Sequence, residues 1–119
     1  MTRFVLTAQG IYYLIAGIWP LVSMATFEAV TGPKTDDWLV HTVGALAMAI
    51  GLTLLWSVRH GHVGSVPATL AVTTAMAFSA IDVLYVTNGT IRRAYLADAA
   101  IEAVFLAGLL VGRSVQRNR

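Results

Sequence analysis

Long apolar runs, each about as long as a hydrocarbon layer is thick, alternate with short polar breaks along the chain. The first run is Phe4–Phe27, 24 positions interrupted only by Gln9 and a few hydroxyl or small residues. The second is Trp38–Val58 and the third Val66–Thr87, and the apolar part of the fourth runs from about Tyr95 to Gly112. A helix needs about 20 apolar residues to cross a bilayer. The pattern therefore predicts an all-α membrane protein, with residues 1–119 forming one antiparallel bundle of four transmembrane helices.

The breaks carry turn and cap chemistry. Thr31-Gly32-Pro33-Lys34 reads as a turn, and Thr35, Asp36 and Asp37 stand where helix caps belong. Ser65 with Pro67 opens the third span, and after the tight turn at Asn88-Gly89, Thr90 is placed to cap the fourth. Pro20 is expected to kink the first span and free the carbonyl of Ala16, with Ser23 and Thr26 positioned to take up lost hydrogen bonding. Arg3 before an apolar run also fits a secretory signal, and Ser23-Met24-Ala25 imitates a cleavage site. The length of the run, and Tyr12, Tyr13, Trp19 and Pro20 inside it, favour a retained span.

Composition sharpens this picture. The chain is 57% apolar and 12% charged, with mean hydropathy +0.72, against about 25% charged residues in soluble domains. The absence of cysteine excludes disulfides, thiolate zinc sites and cysteine nucleophiles. The net charge of +2 comes from basic residues at chain ends and turns, which is no footprint for nucleic acid. Arg3, Arg59, Arg113, Arg117 and Arg119 fall on one side of the four spans, against Lys34, Arg92 and Arg93 on the other. That excess predicts both termini in the cytoplasm, in a plasma or bacterial inner membrane.

The acids change the picture most. Glu28, Asp36, Asp37, Asp82, Asp98 and Glu102 all fall on the outer side or in the outer half of a span. Asp82 lies eight residues before Thr90 and Asp98 eight after it, so both carboxyls are expected at about 9–12 Å from the turn, facing one another. Glu102 follows Asp98 at i+4 on the same face. Two carboxylates so placed in a poorly solvated span repel, so one is expected to hold a proton or the pair to share a cation. Ionisable groups inside a span read as functional by default. An ion pair from Arg92 or Arg93 to Asp98 is the structural alternative, although both lie off the Asp98 stripe.

The remaining features weigh less. Asp36 and Asp37 suit helix capping, Glu28 an interface, and His41 can be held by Asp37 at i+4. Gln9, Tyr12 and Tyr13 suit interhelical packing and hydrogen bonding, and the Ala45/Ala49 and Ala47/Gly51 spacings offer a face for a homo-oligomer. Asn88-Gly89-Thr90 matches a glycosylation acceptor, a pattern common by chance. There is no metalloprotease helix, phosphate loop, dinucleotide fingerprint or nucleophile elbow.

The leading expectation is a small membrane protein, a carrier or accessory subunit, with an outer-facing acidic pocket for a cation, a proton or a small polar or lipophilic ligand. Asp82, Asp98, Glu102, His41, Tyr85 and Trp19 are its candidate binding residues, with no metal site or cofactor expected. An alternative is a membrane enzyme of isomerase, epoxide hydrolase or cyclase type acting on a lipid or isoprenoid. Asp82, Asp98, Glu102 and His41 would then be its acid/base candidates, and Trp19, Trp38 and Tyr85 would shape an apolar pocket. A structural or assembly role, with the acids as interhelical glue, is the third. A narrow polar vestibule would favour ion binding, and a wide apolar chamber ending in carboxyls would favour lipid chemistry.

Overall fold

The computed structural model describes residues 2–34 and 36–117, with side chains through residue 112. Thr35, an expected cap, and the side chains of Arg113, Arg117 and Arg119, three of the five arginines in the charge count, lie outside what is described. Five helices follow one another: α1 Thr2–Val22, α2 Met24–Thr31, α3 Asp37–Arg59, α4 Ser65–Thr87 and α5 Ala94–Arg117. Four segments are long and apolar enough to cross a membrane: α1, α3, α4 and residues Ala94–Gly112 of α5.

The first apolar run is divided where a single span was expected. Pro20 stays inside α1, and the helix continues until the Ser23 N–H has bonded the Trp19 carbonyl at 2.9 Å. The backbone then leaves helical geometry at Ser23 (φ −145°, ψ 87°), whose hydroxyl accepts from the Thr26 N–H and caps α2. Thr26 Oγ also takes the Trp19 indole N–H at 2.9 Å, fastening the short helix back to the long one. Helix α2 thus runs past Phe27, where the first apolar run ends, to Thr31.

Two other expected caps move. Gly64 takes the N-cap position of α4, which leaves Ser65 as its first helical residue. Thr90 does not cap α5, which begins at Ala94; its N–H and hydroxyl both bond the Asn88 side-chain oxygen, at 3.0 and 2.6 Å, closing an Asx turn. Gly89, at φ +83°, supplies the left-handed residue that turn needs. Asp36 is the N-cap of α3 by position, without a side-chain cap bond.

Packing is organised on a glycine seam between α1 and α3. Gly10 meets Gly51 and Gly17 meets Gly44, so residue numbers rise along one helix as they fall along the other. A methyl added at Gly51 would sit 2.6 Å from the Gly10 carbonyl oxygen and 2.8 Å from the Leu14 nitrogen. Only glycine allows backbones this close. Ala47 and Gly51 are therefore used inside the chain, whereas Ala45 and Ala49 point outward.

The interior has two different ends. Near the chain termini it is a packed apolar plug built from Val5, Leu6, Leu54, Val58 and Leu109. Toward the opposite end, polar groups enter and packing gives way to a cavity.

Candidate functional site

The cavity is a chamber of about 500 Å³ among α1, α2, α3, α4 and the start of α5. Its walls are mainly aromatic and aliphatic: Tyr12, Tyr13, Trp19 and Pro20 from α1, Phe27 and Val30 from α2, Val40 and Val43 from α3, and Phe78 from α4. Three charged residues reach it, Asp82, Asp98 and Lys34.

Asp82, on α4, is buried, and Asp98, on α5, is half-buried. Their carboxyls lie within hydrogen-bonding reach of one another. A carboxylate only accepts, so that contact becomes a hydrogen bond when one of the two carries a proton. Asp98 Oδ1 also accepts from the Tyr12 hydroxyl. Asp82 Oδ2 is buried and meets no N–H or hydroxyl donor among the described residues. The pair is thus asymmetric, Asp98 held by a phenol and Asp82 with one buried oxygen that has no donor among the described residues.

Glu102 is fully buried behind this pair and does not line the chamber. The Tyr13 hydroxyl lies 2.9 Å from each of its carboxyl oxygens. Tyr13 in turn accepts from Gln9 Nε2 at 2.9 Å, and the same amide donates to the Ala71 carbonyl at 2.9 Å. This network joins α1, α4 and α5 through the otherwise apolar core. Phe78 packs against Tyr13 at 5.5 Å and Phe105 against Tyr12 at 5.7 Å between ring centroids, which fixes both phenols in place.

Among the described residues no lysine, arginine or histidine nitrogen comes within 4.0 Å of a carboxylate. The expected alternative, Arg92 or Arg93 stapled to Asp98, is not the arrangement found. Arg92 reaches the Ala29 carbonyl at 3.2 Å instead, and Arg93 is exposed. The chain matches no known family model, no curated protein and no solved structure. Its chemistry is therefore read from these groups alone.

Of the residues singled out by sequence, Asp82, Asp98 and Trp19 line the chamber. His41 is half-buried on α3, outside the lining, without a hydrogen bond to Asp37 among the described contacts. Tyr85 faces outward near the end of α4, and Trp38 is exposed at the start of α3. Sequence reasoning missed Lys34 and the α2 wall; it gave Tyr12 and Tyr13 interhelical packing and hydrogen bonding without naming the acids as their partners. A usable signal was present: three donors on α1 and three acids on α4 and α5, all in apolar spans, where polar groups must find partners within the protein.

Proposed function

We propose that this chain is an integral protein of a plasma or bacterial inner membrane. Its four long helices cross as an antiparallel bundle, with both termini in the cytoplasm and the chamber opening toward the outer side. It takes a lipophilic small molecule into the chamber and presents that molecule's polar or reactive group to Asp82 and Asp98. The observation that carries this reading is an apolar, aromatic-walled chamber of about 500 Å³ lined by two carboxyls within hydrogen-bonding reach of one another. Its size falls within the range of small-molecule sites, about 300–1,000 Å³. A bare metal ion is served less well, because among the described residues no three His, Cys, Asp or Glu side chains converge.

The same pair is suited to acid/base work. One proton between two carboxyls makes one a donor and the other an acceptor. A carbon–carbon double bond takes the proton from Asp82 at one carbon, and the resulting cation is flanked by the Tyr12, Tyr13 and Phe78 rings. Asp98 then removes a proton from the neighbouring carbon. The double bond has moved, the pair again holds one proton, and no co-reactant is used.

Protein reconstituted in D₂O and offered a panel of isoprenoid alkenes tests this directly. Mass spectrometry is expected to find deuterium in recovered product, with the rate reduced at least about 100-fold in Asp82→Asn and in Asp98→Asn. Equal labelling by the variants would refute the catalytic role. Saturable binding without label from wild type would leave a carrier or accessory subunit that binds the same class of molecule.

A further inference from the structure

The chamber carries opposite charges at two levels, Lys34 in the connection between α2 and α3 and the two acids about a turn inside α4 and α5, and that order says which kind of lipophile fits. Asp82 stands five residues before the end of α4 and Asp98 four residues after the start of α5, with Phe78, Tyr13 and Ala47 of the lining further in. At the mouth, where α2 ends, two cations converge on Gly32. The Lys34 ammonium donates to the carbonyls of Thr31 and Gly32 at 3.1 and 3.0 Å. Arg92 Nη1 donates to the Ala29 carbonyl at 3.2 Å, and Arg92 Nε lies 3.1 Å from where a Gly32 side chain would begin.

The plain duty of these cations is to satisfy the last carbonyls of α2, where the helix dipole is negative. That duty does not use them up. An ammonium has three protons, and two of those on Lys34 go to the carbonyls. Its other neighbours are the Phe27 and Tyr95 rings, at 5.8 and 5.3 Å from their centroids. Glu28, the nearby acid, bonds the Lys34 backbone N–H at 3.3 Å rather than its ammonium. Lys34 is half-buried and lines the chamber. An ammonium held between two ring faces at the rim of an apolar cavity is thereby fixed for a second, anionic partner.

We propose that the ligand is a single-chain amphiphile whose anionic headgroup rests on Lys34 and Arg92 while its hydrocarbon chain runs inward past Asp82 and Asp98. This rests on the lipophile-binding reading above and adds the headgroup and its polarity. The two acids keep an anion out of the deeper part of the chamber, so the headgroup stays at the level of Lys34. A chamber of about 500 Å³ has room for one chain rather than a phospholipid's two.

Full-length protein in phosphatidylcholine nanodiscs, with Trp38→Phe and Trp56→Phe leaving Trp19 as the sole reporter, provides the test. Trp19 lines the chamber, so its fluorescence follows occupancy. The probes are dodecyl phosphate, dodecanoate, dodecanol, dodecyltrimethylammonium and inorganic phosphate. The two anionic amphiphiles are expected to bind at least about tenfold more tightly than dodecanol. Dodecyltrimethylammonium is expected to bind no better than dodecanol, and inorganic phosphate not to bind measurably. A gap between dodecyl phosphate and dodecanoate tells a phosphate head from a carboxylate one within the same proposal.

Lys34→Gln should remove the preference for an anionic head, Lys34→Arg should keep it, and Arg92→Gln should reduce it severalfold, each read as the ratio of dodecyl phosphate to dodecanol affinity within the same variant. Should Lys34→Gln loosen α2, dodecanol affinity falls with it, and the wild-type ranking with Lys34→Arg and Arg92→Gln still decides. Equal binding of dodecanol and dodecyl phosphate, or tighter binding of the quaternary ammonium, overturns the headgroup assignment while leaving the chamber a lipophile site. Failure of every amphiphile to bind overturns both readings.

Discussion

Tyr12 is the residue through which the acid pair becomes asymmetric, because it donates to Asp98 and not to Asp82. Tyr12→Phe keeps the ring and its contact with Phe105 and removes only that donor. A polar contact between membrane helices is worth about 0.6 kcal/mol on average and at most about 1.7, so the variant should fold. Deuterium incorporation should nevertheless fall about tenfold or more, because Asp98 loses the group that orients it. Wild-type labelling by Tyr12→Phe would show that the phenol positions nothing. The shared proton has a signature of its own. Infrared spectra should show a protonated carboxyl band that disappears in Asp82→Asn and in Asp98→Asn, and persistence of the band in both would refute sharing. The pair itself was legible in the sequence, since equal spacing about the Asn88-Gly89-Thr90 turn puts two carboxyls at one depth. Their phenol partners were not. Which face of α1 turns toward α5 depends on how α1 is seated against α3, and neither helix announces that on its own.

At the scale of elements, the seating is done by glycine. Gly51→Ala places a methyl against the Gly10 carbonyl and the Leu14 nitrogen, both main-chain atoms that no rotamer change can move. The helices must separate, and overpacking of this kind costs about 1–3 kcal/mol. Thermal unfolding in nanodiscs should register that loss for Gly51→Ala, while Ala49→Leu on the outward face of the same helix leaves the midpoint nearly unchanged. Comparable midpoints would refute the seam. The spacing of small residues on α3 was visible in the sequence, but it pointed equally well to a second copy of the chain. Only the matching seven-residue step of Gly10 and Gly17 on α1 selects the internal use. Helix lengths were legible from apolar runs, because a span must satisfy its backbone internally. The division between α1 and α2 was not. The apolar run continues across the junction, and the break falls at Ser23, which can cap a new helix, rather than at Pro20, which the old helix tolerates.

For the whole molecule, the proposed orientation puts Pro33 outside and Gly61 inside. In intact cells, an impermeant thiol reagent should label Pro33→Cys and spare Gly61→Cys, and the reverse pattern would invert the molecule. The sequence already hinted at an uneven interior by confining its acids to one half of the spans. It did not show that the other half closes, since closure needs Leu6, Leu54 and Leu109, from three different helices, to meet. Their meeting has a thermodynamic consequence. In the proposed membrane orientation, the apolar cluster leaves the chamber open to one compartment only, so its contents equilibrate with that compartment and not with the other. Sealed vesicles of fixed orientation make this measurable through Trp19. Acidifying the solution on the chamber side should shift amphiphile affinity, and the same change on the far side should not. In the proposed orientation, a proton handled by the acids is borrowed from, and returned to, one side of the membrane.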